Sequence, residues 1–157
     1  MDNKNKNLLD VNYSADINAE LNGLLADLQV YYQNLRGLHW NVSGRHFFGL
    51  HAKFEELYDE VNGVIDEIAE RILTLGSVPL HSLADYQKNS RIEPVINVSD
   101  GEEAVKAVVS NLRTLLDSER GLLKKAAEAG DEGTAALLSG LIASQEKQHW
   151  MLQAWLS

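Results

Sequence analysis

Proline occurs at two positions in this chain, Pro79 and Pro94, and both fall in one middle region. A proline ring fixes φ, removes an N–H donor and stops or kinks a helix. The sequence on either side is therefore free to form long helices, and it carries helical spacing. The first stretch runs from about Ser14 to Val42, with Leu21, Leu24, Leu28, Tyr31, Leu35 and Leu38 on one apolar stripe. Asn41 to Gly44 then supply loop chemistry. The second stretch runs from about Phe47 to Leu75, with Leu50, Phe54, Leu57, Val61, Ile68 and Ile72 as its stripe, and Gly76 stops it. Between Ser77 and Asn97 the pattern breaks, apart from a short helix expected at Leu80 to Tyr86. Ser99 followed by Glu102 reads as a capping box for a third long helix that ends near Ala129 and Gly130. Asp131 caps a fourth, which continues almost to Ser157. No strand alternation and no repeat is evident.

Four long amphipathic helices predict an all-α four-helix bundle. The second-to-third connection is long and the other two are short. One long crossover holding a short extra helix gives up-down-down-up topology, the ferritin-like arrangement. Residues 13–157 are read as one domain of ordinary size, and residues 1–12 as a flexible N-terminal tail.

Composition narrows the chemistry. The chain has no cysteine, which excludes disulfides, thiolate metal sites and cysteine nucleophiles. That suits a reducing cytoplasm, the expected location. Met1 to Asp10 carry no apolar h-region, so no signal peptide is expected, and no stretch suits a membrane span. The formal net charge of -9 repels nucleic acid unless basic residues cluster. Lys4 and Lys6 in the tail make a weak footprint.

The informative residues surround the first loop. His39 lies near the end of the first helix, beside Trp40. His51 and Glu55 sit four apart on the second helix, and so do Asp66 and Glu70 further along it. Residues four apart share a helix face. Taken singly, such pairs are ordinary solvated charges or helix-end histidines. Together they pose a geometric problem. His51 and Asp66 are separated by roughly 22 Å of helix, whereas ligands lie within roughly 2–2.6 Å of an ion. Either the chain carries two incomplete half-sites, or the second helix pairs with another copy of itself. His51 and Glu70, and equally Glu55 and Asp66, are placed symmetrically about a point between Glu60 and Val61. An antiparallel two-fold pairing there would bring both sets together, with Gly63 facing Tyr58 at close approach. His39 could join from the first helix. Histidines with carboxylates suit Fe(II), Mn(II) or Zn(II) and disfavour Cu(I) and iron–sulfur clusters. Trp40 could donate an electron near such a site, or simply pack at an interface.

The run Leu38-His39-Trp40-Asn41-Val42-Ser43-Gly44, then Phe47-Phe48-Gly49-Leu50-His51 and Phe54-Glu55-Glu56-Leu57-Tyr58, resembles the Dps family, the mini-ferritins named for DNA protection during starvation. Ile65-Asp66, Ala69-Glu70-Arg71-Ile72, Glu146-Lys147 and Trp150-Met151-Leu152 extend the likeness over nearly the whole chain. The resemblance implies a hollow dodecamer with ferroxidase sites at two-fold interfaces. It implies His39, His51, Glu55, Asp66 and Glu70 as iron ligands, and the same donors would also suit zinc or manganese. It further implies Fe(II) oxidation by hydrogen peroxide and storage of ferric mineral in the cavity.

The chain departs from the family pattern at several points. Glu55 stands where many relatives have aspartate, and Arg45 where many have proline. Near Ala136, where relatives often carry an acid at an iron-entry pore, only Asp131 and Glu132 are left to attract cations. DNA binding is expected to be weak or absent, because the tail holds few lysines and an oligomer multiplies the negative charge. The alternative is a DNA-compacting nucleoid protein with a secondary metal site. A third reading is a di-metal oxidoreductase acting on an organic substrate within one bundle. That reading needs two Glu-x-x-His motifs, and only Glu146 with His149 has the spacing. His46 and His81 read as loop residues.

Overall fold

The computed structural model describes residues 9–157; of the expected tail, 1–12, residues 1–8 lie outside the described residues, and Val11 and Asn12 belong to the first helix. Four long helices and one short one form: α1 Val11–Asn41, α2 Phe47–Thr74, α3 Leu83–Asn89, α4 Gly101–Glu128 and α5 Glu132–Leu156. Among the described residues there is no strand, so the all-α expectation holds.

Helix ends follow the polar residues that satisfy them. Asp10 accepts from the backbone N–H of Asn12 and Tyr13, each at 3.0 Å, so α1 starts at Val11, three residues before the expected start. Ser82 takes the Asp85 N–H at 3.2 Å, which moves the short helix to Leu83–Asn89. The cap of α4 is Asp100, not Ser99: its carboxylate accepts from Glu103 N at 3.0 Å. The Ser99 carbonyl instead accepts from Ser43 N at 2.9 Å, tying the first loop to the start of α4. Gly76 and Gly130 adopt φ of 84° and 70°, the left-handed geometry that ends a helix without a Cβ clash.

These ties fix the topology. The start of α4 meets the end of α1, and the start of α5 meets the start of α1 through Tyr13 and Asp131. The helices therefore run up, down, down, up. α1 packs against α2, α4 and α3, and α4 packs against α5. Leu21, Leu28 and Leu35 of α1 meet Phe54, Ile68 and Ile72 of α2, Leu112 and Leu115 of α4, and Leu138 of α5, all fully buried. Each such side chain contributes about 1.5–3 kcal/mol by leaving water.

The long crossover between α2 and α4 is held by polar residues of α1. Asn22 Oδ1 accepts from Leu80 N at 2.8 Å. Asp27, wholly buried, accepts from Arg91 N at 2.6 Å and from the Arg91 guanidinium at 2.9 Å. Asn34 donates to the Glu93 carbonyl at 3.0 Å and accepts from Val95 N at 2.8 Å. Backbone groups that would otherwise be orphaned thus find partners on a helix face.

Candidate metal centre

The end of α1 and the first turns of α2 bring His39 and His51 together. Their imidazoles stack with centroids 3.7 Å apart and planes 13° from parallel. Each ring also bonds the other residue's backbone. His39 Nδ1 lies 2.6 Å from the His51 carbonyl oxygen, and His51 Nδ1 lies 2.8 Å from the His39 carbonyl oxygen. A carbonyl only accepts, so both Nδ1 atoms carry the hydrogen and donate it. In the neutral imidazole that leaves Nε2 with the lone pair, and it fixes the ring direction, the role a carbonyl commonly plays behind a metal-binding histidine. His39 is buried and His51 half-buried. Phe47 stacks on His51 at 4.8 Å, and Tyr58 meets His39 edge-on at 5.4 Å.

Glu55 stands one turn beyond His51 and is exposed. Asp66 and Glu70 are exposed further along α2, on a helix that is continuous from Phe47 to Thr74. A single chain therefore gathers His39, His51 and Glu55 at one end and leaves Asp66 and Glu70 some three to four turns away. Among the described residues, no three His, Asp or Glu side chains of one chain converge on a common point. A Cβ at Gly63, between the two sets and nearer Asp66, would project into open space. Trp40 is 56% exposed, and the Arg36 guanidinium sits 4.9 Å over its ring.

The other candidates go elsewhere. Glu146 accepts from Arg120 at 2.7 Å, and His149 Nε2 accepts from Arg113 Nε at 3.3 Å, so the lone Glu-x-x-His belongs to a polar face shared with α4. His46 precedes α2 and makes no side-chain capping bond. His81 Nδ1 donates to the Pro79 carbonyl at 3.0 Å on an exposed turn.

Asp131 is not available to attract cations. It is 2% exposed and bound by Arg71 at 2.7 Å, by the Tyr13 hydroxyl at 2.7 Å and by Thr134 N at 3.1 Å. Burial alone would raise its carboxyl. The hydrogen bonds from Thr134 and Tyr13 and the charge of Arg71 outweigh that and hold it below the ordinary aspartate range. Glu132 stays exposed. Spacing gave no sign of this network, because its members come from α1, α2 and the start of α5. A second group outside the sequence reading is Glu119, wholly buried on α4 and bonded by Gln145 Nε2 at 2.8 Å.

Fold and sequence comparisons agree with the four-helix architecture. Residues 18–157 match the family model for the ferritin-like domain, which sets the class of the fold. A solved Dps protein from Vibrio cholerae O1, described as a member of a broad superfamily of ferritin-like diiron-carboxylate proteins, superposes with a TM-score of 0.96 at 46% identity, covering 100% of both chains. A Dps protein from Bacillus brevis superposes with a TM-score of 0.91 at 37% identity, over 95% of this chain and 100% of its own. The DNA protection during starvation protein of Porphyromonas gingivalis is 45% identical over 86% of this chain and 85% of its own. The chain belongs to the Dps family of ferritin-like proteins.

Proposed function

We propose that this protein is a ferroxidase that stores iron and protects against oxidative stress, with each site shared by two copies of the chain. The observation that carries the reading is the reciprocal bonding of His39 and His51. It leaves the lone pair on Nε2 of each ring, with Glu55 one turn along α2 from His51, and among the described residues no group of three His, Asp or Glu of one chain completes a metal site. Two-fold pairing of α2 about the point between Glu60 and Val61 would add Asp66 and Glu70 from the partner. Membership of a family that includes diiron-carboxylate proteins supports iron as the metal bound. Zinc and manganese are further occupants of the same nitrogen-and-oxygen donor set, and a zinc-soaked Dps from Listeria innocua shares the fold, with a TM-score of 0.86 at 30% identity.

Iron is the substrate here. Two Fe(II) ions each give up one electron, and one hydrogen peroxide takes both together with two protons, yielding two Fe(III) and two waters. The O–O bond is cleaved by a paired transfer, so no hydroxyl radical is released. Negative carboxylates stabilise Fe(III) over Fe(II) and favour the product. Trp40, next to His39 in sequence, is the candidate to quench a stray one-electron oxidant. The ferric product collects as mineral inside a hollow dodecamer. DNA binding is weak or absent, given the net charge of -9.

The test is Fe(II) oxidation with stoichiometric peroxide in the wild type and in the double variant His51→Ala with Asp66→Ala, with particle mass measured on both. Fast oxidation by the wild type and at least a tenfold slower rate in an intact variant supports the shared site. Equal rates, or a wild type no faster than buffer, would refute it.

A further inference from the structure

The bundle interior holds a polar cluster that the ferroxidase reading does not use. Glu119 of α4 is 0% exposed, Tyr31 of α1 is 1% exposed and Gln145 of α5 is 4% exposed. Gln145 Nε2 donates to Glu119 Oε1 at 2.8 Å. Among the described residues, the second carboxylate oxygen of Glu119, Oε2, and the amide oxygen of Gln145, Oε1, have no donor, and the Tyr31 hydroxyl has no partner. Buried acceptors without donors are unfavourable and rare. Here two of them belong to side chains already joined by one hydrogen bond. A single proton would satisfy both, because a protonated carboxyl donates where a carboxylate only accepts.

The charges around the cluster do not replace that proton. From α4 itself, Arg120 is next to Glu119 in sequence, but its guanidinium is bonded to Glu146 of α5 at 2.7 Å. From α1 the facing group is the Tyr31 phenol. From α2, Glu60 lies near that phenol, and its negative charge acts on Tyr31 together with the charge of Glu119. Among the described residues, no cationic side chain forms a salt bridge with Glu119. Burial pushes the Glu119 carboxyl up to about 8, with the Gln145 bond and Arg120 offsetting only part of the shift.

We propose that Glu119 is a buried proton-binding site: its Oε2–H donates to Gln145 Oε1, closing a reciprocal acid–amide pair that clamps α4 to α5 while the proton is held. Loss of the proton breaks one of the two bonds and leaves a bare charge in the core. A cavity of about 350 Å³ between α1, α2 and α5 is lined by both Tyr31 and Gln145, with Glu60 and Gln148 also on its wall, and brings solvent up to the Gln145 side of the pair.

The folded chain holds this proton more tightly than the unfolded chain. The clamp's contribution is therefore complete below the ordinary glutamate value of 4.5 and is lost as pH rises through about 8. The isosteric variant Glu119→Gln cannot ionise, so its stability lacks this dependence.

The experiment is infrared spectroscopy of the full-length, metal-free protein across that pH range, with melting temperatures of wild type and Glu119→Gln measured in parallel. The expected result is a protonated-carboxyl C=O band at neutral pH that disappears above about pH 8 and is absent from Glu119→Gln. The melting temperature of the wild type should fall by several degrees relative to the variant over the same range. Should Glu119→Gln fail to fold, Gln145→Leu serves instead: the band persists but moves to the frequency of a carboxyl with a lost partner. No such band at neutral pH, a band that survives Glu119→Gln, or one unmoved by Gln145→Leu overturns the proposal.

Discussion

Two backbone carbonyls decide which nitrogen each candidate histidine presents. At His39 and His51 the donor is Nδ1 and the free lone pair is on Nε2, because each carbonyl already occupies the other ring's Nδ1. Nitrogen NMR of the metal-free protein should show the Nδ1–H tautomer at both residues at mildly alkaline pH. The Nε2–H form at either would mean that the rings face the other way. The pairing of the two residues was legible in sequence only as proximity to one loop. The stacking at 3.7 Å depends on how α1 meets α2, which no spacing rule specifies. Asp131 makes the same point more sharply. In sequence it is an acid at a helix start, equally suited to a cap or a cation-attracting surface. The fold surrounds it with Arg71, Tyr13 and Thr134, and its charge is already matched.

Arg71 links α2 to the α4–α5 turn and to the start of α5, and the element ends depend on it. Its guanidinium lies flat against Gly133, where an added Cβ would come within 2.8 Å of both Nη atoms. Arg71→Met should destabilise the chain by about 2–4 kcal/mol, measured by denaturant unfolding near neutral pH, because the buried Asp131 then lacks its partner. The folded chain holds Asp131 below its ordinary value of 3.8, so the stabilisation is present above that value and lost as pH falls through the lowered one. The advantage of wild type over Arg71→Met should therefore narrow in acid. A pH-independent difference would assign the effect to packing alone. Helix positions, in contrast, were readable within a few residues, since the apolar spacing and the glycine stops act locally. The start of α4 turned on two adjacent polar residues, Ser99 and Asp100, whose roles differ only once Ser99 is tied to Ser43.

The whole molecule is finished only as an oligomer, on the proposed reading. Asp66, Glu70 and the open face at Gly63 await a partner that a single chain does not supply. Particle mass should give a dodecamer of the 17.5 kDa chain, and Gly63→Lys, which adds a long charged side chain, should lower the mass by crowding the two-fold contact with Tyr58. An unchanged dodecamer in that variant would place the contact elsewhere. The acidic surface leads to a further expectation. Duplex DNA should run unretarded on a native gel with the wild type at moderate salt, and retention there would favour the DNA-compacting alternative.

The sequence alone determined the all-α bundle, its single long crossover and the ligand-type residues on α1 and α2, because helical periodicity and proline placement act within a few residues of each other. The Dps family likeness followed from the same local runs. Only the tertiary structure decided that α1 would anchor the crossover through Asn22, Asp27 and Asn34, that each histidine would commit Nδ1 to the other's carbonyl, and that Glu119 would lie in the core opposite Gln145. Each of these joins residues far apart in the chain. Their environment, buried or open, charged or neutral, is set by which helices meet, and a one-dimensional pattern carries no record of that.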